Sequence, residues 1–198
     1  MKLYGTTTSP YVRRVRIIAR ELGLNYTRTD TATDAGQAEL RVLSPIWKVP
    51  VWQTANQVIW DSHKIIDWLF GAYGTGQLYC FPADDYNVNN FMTAVDGALD
   101  SGINLFYLQK DGLAIDQSAY MRKQQDRIHA SLQWLEQNLT AGLLAGSRAY
   151  SYPGIVLVSS IDWMQFRQAA DLNAYPTLRK FAHDMNDQHA HIRATSPA

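Results

Sequence analysis

The chain has 198 residues, 46% of them hydrophobic, enough for one large folded unit or two small ones. Eighteen basic residues balance eighteen acidic ones, so charge gives no reason to expect a nucleic-acid or acidic-membrane partner. The single cysteine, Cys80, excludes an internal disulfide or dithiol site, and no apolar run reaches the length of a membrane span. The first residues lack a signal-peptide core, and a reducing, cytoplasmic location is expected.

In chain order, residues 2–5 read as a short strand and 10–22 as a helix. Tyr11, Val15, Ile18 and Leu22 recur at helical spacing, with Arg13, Arg14, Arg16 and Arg20 expected on other, solvated faces, and Gly23 supplies the stop. Residues 25–30 suit a second strand and 34–42 a weak helix. Two apolar runs, 49–53 and 57–60, joined by Thr54-Ala55-Asn56, predict a β-hairpin. Asp61-Ser62 then opens a helix carrying Ile65, Ile66, Trp68, Leu69 and Phe70 to about Gly71. This β-α-β-α-β-β-α order is that of a thioredoxin-like fold. Glycine, proline and aspartate accumulate between Gly74 and Tyr86. Beyond that stretch the pattern is helical only, at about 87–109, 118–139, 154–170 and 176–187, followed by a loosely ordered tail from Asn186. The expected organisation is a thioredoxin-like domain over 1–75, a linker over 76–86 and an all-helical domain over 87–198.

Three places carry candidate chemistry. Ser9-Pro10 reads as a helix N-cap with proline at the first helical position. Unpaired backbone N–H groups and the positive end of the helix dipole favour an anion there, and a thiolate is an anion. Thr6, Thr7 and Thr8 are neighbouring hydroxyls, and Tyr4 sits inside the first strand as a core residue. Val49-Pro50 places a proline at a strand opening, where its missing N–H is tolerated. Asp61-Ser62 sets an acid and a hydroxyl at a second helix start, which is either routine capping or a site for an ammonium–carboxylate pair. His189-Ala190-His191 lacks the carboxylate or cysteine partners of a metal site, and no metal is expected.

These segments, Thr8-Ser9-Pro10-Tyr11-Val12-Arg13-Arg14-Val15, Ser44-Pro45-Ile46-Trp47-Lys48-Val49-Pro50-Val51 and Asp61-Ser62 with Ile65-Ile66, together resemble the cytosolic glutathione S-transferases. The first is most similar to the serine-type classes, notably tau, and to short bacterial members of the YibF-like kind. Ser-Pro-Tyr-Val also has the shape of the glutaredoxin Cys-Pro-Tyr-Cys motif with both thiols missing. The resemblance implies glutathione as co-substrate, a homodimer and a role in detoxification. It implies that Ser9 is catalytic, holding the glutathione thiolate. Lys48 would meet the glycyl carboxylate. The Val49 backbone, before a cis Pro50, would pair with the cysteinyl part, and Asp61 and Ser62 would take the γ-glutamyl amino and carboxylate groups. Tyr11, Asn104, Tyr107, Trp163 and Phe166 would line a hydrophobic pocket for a small electrophile. The alternative is a non-catalytic member of the same fold that binds a ligand or a partner protein. Two positions depart from the family pattern. Trp47 stands where a small residue is common, and Ser151-Tyr152-Pro153-Gly154 has glycine in the aspartate position of the usual capping box.

Overall fold

A computed structural model describes residues 1–197. They form two compact units, one of Met1–Leu78 with the stretch from His189 onward, the other of Tyr79–Gln188. The first unit contains β1 (Lys2–Tyr4), α1 (Pro10–Glu21), β2 (Thr27–Thr29), α2 (Asp34–Leu43), β3 (Val51–Gln53), β4 (Val58–Ile59) and α3 (Ser62–Tyr73). Its four strands lie in the order β2-β1-β3-β4, with β1 parallel to β2 and antiparallel to β3, and β3 antiparallel to β4. This is the thioredoxin-like arrangement that the element order predicts.

The strands are short because the apolar runs are short, so stability comes from what they cover. Leu3, Val51 and Trp52 are fully buried, as are Val12, Val15, Ile17 and Ile18 of α1 and Ile65, Ile66 and Leu69 of α3. Packing α1 and α3 together closes the core. The weakness read into α2 has a steric reason. A Cβ on Gly36 would stand 2.0 Å from the Asp30 carbonyl oxygen, so helix propensity yields to close approach of the chain.

The arginines of α1 depart from expectation. Arg13 and Arg14 are 1% and 0% exposed rather than solvated. Arg13 donates from Nε to Thr195 Oγ1 at 3.2 Å and from Nη2 to the Ile192 carbonyl and Ser196 Oγ, each at 3.4 Å. Arg16 donates to the Thr195 carbonyl at 3.3 Å, and burial lowers its pKa from the ordinary arginine value. The Arg14 guanidinium lies over the Tyr11 ring at 5.1 Å. The partners of Arg13 and Arg16 belong to the stretch expected to be loosely ordered. It instead forms α8 (Ala190–Arg193), and Ile192 and Thr195 are fully buried. A helix face rich in arginine looks solvated until its acceptors, nearly the whole chain away, are known.

The second unit is helical, with α4 (Tyr86–Lys110) packed on α5 (Ala119–Thr140) and α6 (Tyr152–Arg167), followed by α7 (Pro176–Gln188). α6 is its centre: Ile155, Val156, Leu157 and Val158 are all fully buried. It ends at Arg167, short of the expected residue 170, because Gln168 adopts a left-handed φ of 53°. The Glu136 carboxylate accepts from the Thr177 and Leu178 N–H groups at 2.8 and 2.9 Å, capping α7 from α5. The departure at Gly154 is likewise steric. Ser151 Oγ still accepts from the Gly154 N–H at 3.3 Å, but a Cβ on residue 154 would lie 2.0 Å from the Ala149 carbonyl oxygen. No aspartate fits there, so half of the capping box survives. No helix among the described residues is long and apolar enough to cross a membrane.

Candidate functional site

In the first unit, β1 feeds α1 through Gly5-Thr6-Thr7-Thr8-Ser9. Gly5 is needed for this path, since a Cβ there would meet Val12 Cγ2 at 2.3 Å. Ser9 is the N-cap of α1, with φ −74° and ψ 125°; its Oγ accepts from the Val12 N–H at 3.3 Å and its carbonyl from the Arg13 N–H at 3.0 Å. Pro10 follows at the first helical position, and no acidic side chain occupies the first turn. The positive end of the helix therefore meets no carboxylate of its own, and the half-buried Ser9 hydroxyl keeps its proton available to donate.

Trp47 adopts a left-handed φ of 51° and leads through exposed Lys48 to Val49-Pro50, whose peptide bond is cis. Val49 is half-buried, Pro50 is buried, and β3 begins one residue later. Trp47 is 59% exposed, and the Arg41 guanidinium lies 4.9 Å from its ring centroid.

α3 begins after a cis Trp60-Asp61 bond. Asp61 caps it: its Oδ1 accepts from the His63 N–H at 2.7 Å and its carbonyl from the Ile65 N–H at 2.9 Å. Ser62 is 1% exposed, and its Oγ is buried with no hydrogen-bond partner. Leaving a buried hydroxyl unpaired costs about 1–3 kcal/mol, so such a group calls for an explanation. It stands at the positive end of α3, whose first turn also lacks an acidic residue. α1 packs on α3 and α3 on β3, so one framework holds all three segments.

The remaining sequence-selected residues are scattered in environment. Tyr11 is half-buried beneath Arg14. Asn104 is exposed and donates to the Asp100 carbonyl of its own helix at 2.9 Å. Tyr107 and Phe166 are 57% and 41% exposed. Trp163 is only 5% exposed and meets the Phe106 ring edge-on at 6.1 Å, which makes it core. A cavity of about 440 Å3 within the helical unit has Phe106 and Arg167 in its wall but none of Asn104, Tyr107, Trp163 or Phe166. Among the described residues no group of three or more His, Cys, Asp or Glu side chains could hold a metal ion. His189 and His191 face each other at 5.9 Å, with His191 Nε2 3.9 Å from Glu21. Sequence reasoning selected Ser62 for its position at a helix start and had no signal for its lack of a partner. It had none for the cavity either, because the alternating apolar and polar residues of α4 and α5 look the same with or without a void between them.

Residues 3–77 match the family described as "Glutathione S-transferase, N-terminal domain". The match lies within the first unit. The chain is 26% identical over 172 residues to the uncharacterized GST-like protein YibF of Escherichia coli K12, covering 86% of this chain and 85% of that protein. Its fold superposes on a glutathione S-transferase from Methylobacillus flagellatus KT, solved with glutathione bound, at a TM-score of 0.84 and 22% identity, covering 100% and 99% of the two chains. A glutathione transferase family member from Pseudomonas fluorescens Pf-5, also with bound glutathione, gives 0.83 at 21% identity, covering 100% and 98%. Together these similarities support the glutathione S-transferase family, and the fold is that of its members.

Proposed function

We propose that the chain is a cytoplasmic glutathione transferase of the serine type, similar to tau-class and YibF-like members and acting as a homodimer. The observation that carries this reading is the buried, unpaired Ser62 Oγ beside Asp61 at the start of α3. A γ-glutamyl carboxylate would supply the missing acceptor and lie at the positive helix end, while the Asp61 carboxylate meets the adjacent ammonium. The Val49 backbone pairs with the cysteinyl residue in strand fashion, and exposed Lys48 meets the glycyl carboxylate as a point charge. This leaves the sulfur for Ser9.

Ser9 donates its proton to that sulfur while its lone pair stays on the Val12 N–H, and the α1 dipole favours the same charge. A thiol of pKa near 8.5 is only about 3% ionised at neutral pH. Lowering the pKa by roughly two units raises the thiolate about 25-fold, but lower basicity takes back about 8-fold. Positioning the thiolate therefore matters more than ionising it. The thiolate forms a carbon–sulfur bond to a small hydrophobic electrophile, and the leaving group departs with its electron pair.

Calorimetry with glutathione tests the reading. Ser62→Ala should weaken binding about tenfold, the scale of one charge-assisted hydrogen bond. Ser9→Ala should leave binding largely intact and cut turnover with 1-chloro-2,4-dinitrobenzene. Absence of heat at millimolar glutathione sinks the proposal. Binding without turnover in the unaltered protein favours the non-catalytic alternative.

A further inference from the structure

We propose that the helical unit holds a second ligand site, the cavity of about 440 Å3, and that it takes a small aromatic carboxylate. Its volume falls within the roughly 300–1,000 Å3 of small-molecule sites. Every wall residue lies within Tyr79–Gln188, so the site shares no residue with the segments around Ser9, Pro50 and Ser62. Leu105 and Phe106 of α4 and Ile128 and Leu132 of α5 form apolar walls suited to a ring. The turn after α6, from Arg167 to Asp171, forms another side, directed there by the left-handed Gln168.

Arg167 gives the ligand its charge. Its guanidinium carbon lies 4.8 Å from the Phe106 ring centroid and 4.6 Å from that of Phe166, a planar cation held between two rings. Its Nε is buried with no hydrogen-bond partner, and among the described residues the side chain forms no ion pair. The C-terminal end of α6 offers it only partial negative charge. The one carboxylate in the wall, Asp171, is turned to the backbone, where Oδ1 accepts from the Asn173 N–H at 3.0 Å. A guanidinium left this way lacks its usual bidentate acceptor, and a ligand carboxylate has that geometry. The wall also holds the Tyr175 phenol against the His129 ring. Tyr175 Oη stands 2.6 Å from His129 Nδ1, and burial, with Asp171 and Glu136 nearby, raises the Tyr175 pKa and keeps the phenol protonated.

The test is calorimetric titration of the full chain with 1-naphthoate and with uncharged 1-naphthalenemethanol. One naphthoate should bind per chain, at least tenfold tighter than the alcohol. Arg167→Met keeps the apolar stem and should weaken naphthoate at least tenfold while leaving the alcohol and glutathione affinities unchanged; Arg167→Lys should recover part of the loss. Ala174→Trp, at an exposed wall position, should fill the space and abolish both aromatic ligands, and it serves if the arginine variants fail to fold. No naphthoate heat at millimolar concentration, or equal binding with and without the Arg167 charge, overturns the site. Neither result bears on glutathione, which is read separately.

Discussion

The starts of α1 and α6 make the same local bond in different surroundings. Ser9 Oγ accepts from the Val12 N–H and Ser151 Oγ from the Gly154 N–H, both at 3.3 Å, and each helix carries a proline in its first turn. Ser151 is fully buried, and the Ala149 carbonyl crowds Gly154 of the same turn, whereas Ser9 is half-buried at the end of a run of hydroxyl residues. A capped helix N-terminus is thus a structural device by default. It becomes a candidate anion site only where the backbone around it leaves room. Ser62 adds a third case, a buried hydroxyl at a helix start that caps nothing.

The largest effect should come from crowding the closed start. Gly154→Ala sets a methyl 2.0 Å from the Ala149 carbonyl oxygen, so the chain before α6 must move. A loss of about 3 kcal/mol, at the upper end of overpacking costs, is expected in urea denaturation. The naphthoate and glutathione sites would be intact in whatever fraction stays folded. An unchanged midpoint would show that the start of α6 is looser than its geometry implies.

A smaller and sharper contrast comes from removing each hydroxyl. Ser151→Ala leaves the buried Gly154 N–H without an acceptor and should cost about 2 kcal/mol, while Ser9→Ala should cost about 1 kcal/mol, since water can replace the cap. Equal losses at the two positions would erase the distinction drawn between a closed cap and an open one.

How much of this was legible in the sequence follows from where each signal resides. Ser9-Pro10, Val49-Pro50 and Asp61-Ser62 are local patterns, and the caps of α1 and α3 lie where those patterns put them, while the cis Val49-Pro50 bond is where the family resemblance implies it. The thioredoxin-like order was readable for the same reason, through period and turn residues. The burial of Arg13 and the contacts of Arg16 are not legible locally, because their acceptors, Ile192, Thr195 and Ser196, lie in a stretch with little periodicity of its own. Trp163 looked like a pocket residue because an aromatic on a helix has the same spacing whether it faces a void or fills one. Gly154 looked like a lost cap, and only the nearby Ala149 carbonyl shows why no side chain fits. The pattern reached contacts within a helical turn and failed for contacts made across the fold.

The smallest effect concerns pH, and it separates the two helix starts again, because acid acts on α1 through the C-terminal stretch. His189 and His191 both have pKa values lowered from the ordinary histidine value, first by burial. The His191 charge lowers His189 further, and Arg20 lowers His191, while Glu21 opposes both shifts. Between the folded and the unfolded pKa the unfolded chain binds more protons, so stability rises with pH in that window. The contribution is complete above about pH 6.5, the unfolded value, and is lost as pH falls through the folded values. A modest drop in denaturation midpoint is therefore expected between pH 7 and pH 5.5, with lower amide protection factors, each taken against the intrinsic exchange rate at its own pH, in α8 and in α1 near Arg13. The His189→Gln/His191→Gln double variant should flatten both responses and leave exchange at the start of α6 untouched. A drop that persists in the double variant would assign the acid sensitivity to other groups and leave the Arg13–Thr195 contact independent of these histidines.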